Sequence, residues 1–422
     1  MLSIACTEAQ KVLSFMTRKL PLQFESLAVH AGGRSAINGQ AAPAVPPIVP
    51  SVGFLHPTLE ETDAALSYAG GTPFDPSRHV YARYGAPNQA AFEEAVASLE
   101  GAEGAVSFSS GMAAMHAALL ALVPPGGRVV AASQLYGVTR SLLDWLADAM
   151  SIQVQYGDFT DGAAAREMIL SAHPHVIVCE VLTNPLVRIV PLDIIGQAAH
   201  DIGAAFLVDN TFTTPYLLRP LEYGASIVVH STTKFLNGHG DVLGGIAAGA
   251  SDLISRVYQH RKILGAMPGA FDSWLALRGL RTLVLRMRQA CANASQIAGW
   301  LFQHPLITKT YYPGLPDDSG YSIAKRLLAH GLFGSMIAFE IAGLDRKQVF
   351  NFVRHLQIIQ PVTSLGDVYS LVLHPASASH RALTAEQREM QGITEGVLRL
   401  SVGIEAADDL IDDLDQALQA II

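Results

Sequence analysis

Cysteine is scarce: Cys6, Cys179 and Cys291 are the only three in 422 residues, and no two form a C-x-x-C pair. That excludes a disulfide framework and the paired-thiol zinc or redox motifs, and it fits a reducing cytoplasm. Charge is also sparse, at 15% of residues with a net value of −9, and no long basic block occurs. Without a basic stripe, no nucleic-acid partner is expected. No apolar run reaches the roughly 20 residues of a membrane span, and residues 1–20 lack a sustained apolar leader core. No membrane partner is expected. Residues 1–20 read as a short amphipathic helix or a partly disordered stretch, with Met16 as an alternative start. His374 and His380 stand six residues apart without a third ligand, so no metal site is expected.

Half of the residues are hydrophobic, and 422 residues exceed one ordinary core, so two or three domains are expected. Residues 24–58 are rich in Gly, Pro and Ala and cannot hold regular helix. Their apolar VPPIVPSVGFL predicts burial against something. Thr58 and Glu61 have capping-box spacing before a short helix to Tyr68. Asn88 is the expected N-cap of the next helix, with Phe92, Val96 and Leu99 on its apolar face.

The most informative stretch is 208–245, VDNTFTTPYLLRPLEYGASIVVHSTTKFLNGHGDVLGG. Two short apolar runs, 206–208 and 227–229, are separated by a helix-length segment and read as parallel strands. Their carboxyl ends carry Asp209 and, just beyond, Lys234, so both converge on the edge where open α/β sheets bind ligands. A lysine amine forms Schiff bases with carbonyls, that of pyridoxal phosphate (PLP) included. A carboxylate beside the pyridine nitrogen keeps such a ring electron-poor. Ser231 and Thr233 flank the lysine closely enough to offer hydroxyls to a phosphate. A second stretch, GAVSFSSGMAAMHAALLALV, reads as strand, tight turn and helix, and the helix start at Gly111 is an anion site by its free N–H groups. Further strands are expected at 127–132, 152–155, 176–181 and 333–343, with a helix at 161–172. Arg399 lies in an apolar strand and needs a partner.

HSTTKFLNGHGD resembles the lysine signature of the Cys/Met-metabolism PLP enzymes, the cystathionine γ-synthase-like, fold-type I family. The likeness runs from about Leu27 to the C-terminus. It implies an α/β fold: an extended arm (1–65), a PLP-binding large domain with a mainly parallel, seven-stranded sheet (66–270), and a smaller C-terminal α/β domain with a linking helix (271–422). It implies PLP on Lys234, with Asp209 at the ring nitrogen and Ser231, Thr233, Gly111 and Met112 at the phosphate. Tyr136 would stack on the ring and act as an acid, and Asn184 would bond the phenolic oxygen. Glu180 would orient the substrate-binding arginine, Arg399 would grip the substrate carboxylate, and Ser364 would position the lysine or substrate. Tyr81 and Arg83 would reach the phosphate of a neighbouring subunit, making a dimer with shared sites, within a tetramer.

Three departures narrow the reading. Ala86-Pro87-Asn88 replaces the family's usual N-P-T after the Y-x-R pair. Val138 stands where many methionine γ-lyases have a reactive Cys. Tyr369 stands where many γ-lyases and γ-synthases have the Glu that holds the distal amino group of cystathionine. The expected activity is γ-elimination on a sulfur amino acid of the methionine, homocysteine and cystathionine class, with cystathionine the weaker substrate. The alternative is γ-replacement by an O-acetyl- or O-succinylhomoserine sulfhydrylase. A PLP-binding protein with little catalysis is disfavoured by the intact Lys234 and Arg399.

Overall fold

The computed structural model describes residues 22–32, 43–68, 79–381 and 383–421. The expectations for residues 1–20, 33–42 and 69–78 lie outside them, and the expectation of no regular helix in 24–58 fails at its start, where Phe24–His30 is helical before the first of the glycines and prolines. A seven-stranded sheet is built from β1 (Gly104–Phe108), β2 (Arg128–Ala132), β3 (Gln153–Gly157), β4 (Val176–Glu180), β5 (Ala205–Asp209), β6 (Ile227–His230) and β7 (Gly245–Gly249). Its order is β1-β7-β6-β5-β4-β2-β3. The five strands from β6 to β3 run parallel, and β7 is antiparallel to both its neighbours. The parallel strands β4 and β6 are buried along their whole length. That is why they read as unbroken apolar runs rather than alternating ones.

A second sheet has the order β10-β11-β12-β9-β8. It comprises β8 (Ile307–Tyr311), β9 (Met336–Ile341), β10 (Gln360–Pro361), β11 (Leu371–Leu373) and β12 (Val397–Ser401). Each sheet has its own core. The helix Leu283–Gln303 belongs to both. Leu283, Val284, Met287 and Cys291 pack in the first core, and Ala294, Ile297, Ala298 and Leu301 in the second. The change of core therefore falls within one continuous helix, between Cys291 and Ala294.

The helix Pro87–Glu100 buries Phe92, Val96 and Leu99, but its N-cap is Ala86, with Pro87 in the first turn. Asn88 is not the cap. Proline's fixed φ suits the first helical position, and the cap falls two residues earlier than expected. The Asn88 side chain is buried instead and holds the incoming segment: Oδ1 accepts from Val49 N at 2.8 Å and Nδ2 donates to Pro47 O at 2.8 Å. Trp274 Nε1 donates to Pro46 O at 2.8 Å. Residues 46–49 are thus tied to the body by polar bonds, while Val45, Ile48, Val52 and Leu55 remain exposed. The Thr58 hydroxyl accepts from Glu61 N at 3.2 Å, as its spacing predicts.

Candidate active site

The register pairs Glu180 with Asp209 and Asp209 with Val229, so the carboxyl ends of β4, β5 and β6 lie side by side. Asp209 is held by Thr211, whose backbone N–H donates to Oδ1 at 2.9 Å. Burial pushes its carboxyl upward, against the Thr211 bonds and the neighbouring His230, and no lysine or arginine pairs with it among the described residues. Behind it, the buried Glu100 Oε1 meets His230 Nε2 at 2.6 Å and Asn210 Nδ2 at 3.0 Å. That bond pair fixes the ends of β5 and β6 relative to each other.

Lys234 follows β6 in a tight turn closed by its N–H to Ser231 O at 3.1 Å. Its Nζ donates to Ser364 Oγ at 2.9 Å, in the loop between β10 and β11 of the second sheet. Burial lowers the amine's pKa, Arg399 lowers it further, and Asp367 opposes both. The Thr233 hydroxyl donates to Gly244 O at 3.1 Å and accepts from Gly244 N at 2.9 Å. It turns to a phosphate only by leaving that carbonyl.

An anion cradle lies opposite. Ser110 caps the helix Gly111–Leu122 by accepting from Ala113 N at 3.1 Å. The Gly111 and Met112 N–H groups have no acceptor among the described residues. A Cβ on Gly111 would come within 2.8 Å of Ser231 Cβ, so only glycine lets the helix start approach the lysine turn this closely. Sequence reasoning did not single out Ser110, although a serine before an apolar helix is a legible cap signal.

Arg399, on β12, is buried. Nη1 donates to Asn184 Oδ1 at 2.8 Å and Nη2 to Ser364 O at 3.3 Å, while Nε has no partner among the described residues. Burial draws its pKa down to about 10, opposed by Tyr136 and Glu180. Asn184, not Glu180, makes the bond that orients this arginine. Glu180 instead accepts the Tyr136 backbone N–H at 2.5 Å, which sets the start of the helix Gly137–Met150. Sequence could not assign this bond, because the loop after β4 decides whether the Glu180 carboxylate or the Asn184 amide turns toward β12. Because Asn184 Oδ1 faces Arg399, its NH2 group is the end left to donate. His380 lies buried close to this pair, with Nδ1 2.9 Å from Ser379 Oγ.

These groups line one cavity of about 480 Å³, with Gly111, Met112, Tyr136, Asn184, Asp209, Ser231, Thr233, Lys234 and Arg399 on its walls. Val138, Leu182, Leu243, Leu365 and Leu373 form its apolar parts. Ser364 reaches the cavity through Lys234 and Arg399 rather than as a wall. Tyr81 and Arg83 are not on its walls. Tyr81 is 41% exposed, and Arg83 binds Lys262 O and stacks its guanidinium 4.8 Å from the Tyr84 ring. Tyr369 also lies off the walls, half-exposed, its hydroxyl packed over the bare Cα of Gly240. His374 is engaged through Nδ1 with Ser377 Oγ and through Nε2 with Glu395 O, both at 2.9 Å.

The residues fit PLP. Free helix-start N–H groups suit its phosphate, a buried carboxylate without a cation suits its ring nitrogen, and a depressed lysine amine suits its aldehyde. Comparison with known proteins agrees. The family model described as Cys/Met metabolism PLP-dependent enzyme matches residues 25–419. An L-methionine gamma-lyase of Pseudomonas putida is 37% identical over 409 residues, covering 96% of this chain and 99% of its own. An O-succinylhomoserine sulfhydrylase of Pseudomonas aeruginosa is 35% identical, over 94% of this chain and 96% of its own. The crystal structure of a cystathionine gamma synthase from Xanthomonas oryzae pv. oryzae, in complex with aminoacrylate and cysteine, superposes with a TM-score of 0.85 at 37% identity. It covers 95% of this chain and 99% of that one. The chain belongs to the Cys/Met metabolism PLP-dependent enzymes, with the fold-type I architecture and PLP as cofactor.

Proposed function

We propose that this enzyme is a carbon–sulfur lyase that performs γ-elimination on a sulfur amino acid, releasing a 2-oxo acid, ammonia and a thiol. One observation carries the reading. Arg399 and Lys234 share Ser364, and the same cavity continues into an apolar wall of Val138, Leu243, Leu365 and Leu373. An α-carboxylate on Arg399 therefore places Cα near the lysine amine and points an uncharged thioether chain at apolar surface.

Bound PLP supplies an electron sink for the carbanion character that develops at Cα and Cβ. The protein does the rest. Asp209 would hold the proton on the ring nitrogen, and the Gly111 and Met112 N–H groups, with Ser231 and Thr233, would take the phosphate. The Asn184 NH2 group would donate to the phenolic oxygen. Lys234 Nζ, held by Ser364, removes the Cα proton and moves protons at the neighbouring carbons. Its depressed pKa keeps more of the amine in the basic form. Tyr136, at the start of its helix, would lie against the bound cofactor and give a proton to the departing thiolate.

Tyr369 supports a second reading. It offers no carboxylate for the distal amino group of cystathionine, which favours methionine or homocysteine over cystathionine. It suits an O-acetyl- or O-succinylhomoserine sulfhydrylase equally. We place the enzyme in the cytoplasm, as a homotetramer built from two dimers with shared active sites. Support for the assembly comes from Tyr81 and Arg83, which are not on the walls of their own cavity, and from the exposed apolar residues of the arm.

The deciding experiment is 2-oxobutyrate release by PLP-loaded protein with L-methionine, L-homocysteine, L-cystathionine and O-acetyl-L-homoserine, the last with and without sulfide. Oxo acid from methionine or homocysteine is expected. Silence with both, together with homocysteine formed only when sulfide meets the ester, would replace the lyase reading with the sulfhydrylase.

A further inference from the structure

Arg286 is a second buried guanidinium, 6% exposed, and no carboxylate forms an ion pair with it among the described residues. It sits on the helix that joins the two cores. Burial draws its pKa down to about 10, and only Asp367 opposes this. A buried charge without a counter-ion is costly unless its donors are satisfied. Here four of its five N–H donors are met, and three of the four acceptors are backbone carbonyls. Nη1 donates to Phe235 O at 2.7 Å, Nη2 to Leu236 O at 3.3 Å and to Gly279 O at 2.9 Å, and Nε to Thr282 Oγ1 at 3.1 Å.

Phe235 and Leu236 directly follow Lys234. The turn they belong to is closed by Asn237 N to Thr232 O and by Gly238 N to Lys234 O. Like the last residues of a helix, it presents carbonyls with no donor of its own, and the Arg286 fork supplies the donors. Two glycines clear the way. A Cβ on Gly238 would lie 1.9 Å from Arg286 Nη1, and one on Gly279 would lie 2.2 Å from Asn237 O. On the other side, Ser364 holds Lys234 Nζ, and a Cβ on Gly366 would lie 2.7 Å from Phe235 N. The lysine turn is therefore clamped between Arg286 and the loop at residues 364–367.

We propose that Arg286 is a positioning residue for Lys234: its planar fork fixes the 235–238 turn and so aims Nζ. Because its helix continues into the second core, it also ties that aim to the placement of Arg399 and Ser364. This rests on the assignment of Lys234 above, and not on which substrate is used.

The test compares holoenzymes carrying Arg286→Lys and Thr282→Val, with Arg288→Lys as the control. Arg288 is 51% exposed on the same helix and bonds Tyr216 and Glu25 instead. Lysine keeps the charge but loses the fork. The readouts are the pH titration of the bound cofactor's visible absorbance, and kcat and KM per bound cofactor. We expect Arg286→Lys to shift the absorbance midpoint by at least about half a unit. It should lower kcat by about 10- to 100-fold, the scale of an ångström-sized misplacement, with KM held within about threefold. Thr282→Val should move both readouts the same way by less, and Arg288→Lys should move neither. If Arg286→Lys does not fold, Thr282→Val decides by the same readouts. Variants that lose thermal stability but keep the wild-type absorbance midpoint and kcat per bound cofactor would overturn the proposal. The absorbance readout needs no substrate, so its failure is distinct from failure of the proposed reaction.

Discussion

Replacing Arg399 by lysine probes the carboxylate end of the cavity most directly. The native guanidinium donates to Asn184 Oδ1 and Ser364 O and leaves Nε without a partner among the described residues. A substrate carboxylate would take that unused donor and share a second. Hydrogen bonds to charged groups contribute about 1.5–3 kcal/mol each, and a buried acceptor left without its donor costs about 1–3 kcal/mol. Lysine keeps the charge and one line of approach. Arg399→Lys therefore loses about one charge-assisted bond to the substrate carboxylate, up to about 3 kcal/mol, while the stranded acceptor costs free and bound enzyme alike. At about 1.4 kcal/mol per decade, kcat/KM should fall by up to about 10²-fold, mostly through KM. The assay is 2-oxo acid release over a range of amino-acid concentrations, alongside inhibition by the decarboxylated amine of the best substrate. The amine has no carboxylate, so its inhibition constant should be the same for both enzymes. A variant whose kcat/KM stays within threefold of wild type, or whose affinity for the amine falls as far as that for the amino acid, would refute the reasoning.

Gly111→Ala puts a methyl group 2.8 Å from Ser231 Cβ and forces the phosphate cradle open, so the Kd for PLP should rise at least about tenfold while the apoprotein stays folded; equilibrium dialysis of PLP checks it. His380 is pushed down by burial to about 4 from 6.5. The unfolded chain thus takes up a proton that the native one refuses, and the stability this confers is present above pH 6.5 and lost as pH falls toward 4. At 1.36 kcal/mol per unit the window is worth about 3 kcal/mol, so His380→Asn should lose less thermal stability between pH 7 and pH 4.5 than wild type. Calorimetry at the two pH values decides, and equal losses would remove His380 from the acid limb. Tyr369→Glu should raise turnover of cystathionine relative to methionine, and an unchanged ratio would show that this half-exposed position does not meet the distal amino group.

The sequence by itself determined the parallel strands, because a strand buried on both faces must be an unbroken apolar run, as in β4 and β6. It also determined that Asp209 and Lys234 share an edge, since consecutive parallel strands end on the same side. Its motif order carried Gly111, Tyr136, Asn184 and Arg399 to the same cavity. What it did not determine were bonds made by side chains far apart in the chain. Asn88 looked like a cap and proved to hold the arm, because Pro87 had already taken the first helical position. Glu180 looked like the partner of Arg399, but the fold gave that place to Asn184 and turned Glu180 to the Tyr136 amide. Arg286 left no legible mark, since its acceptors at Phe235 and Leu236 are backbone carbonyls and carry no residue identity. Periodicity and motif order are written along the chain. The partner of a buried polar group is chosen by packing across it, and only the tertiary structure decides that.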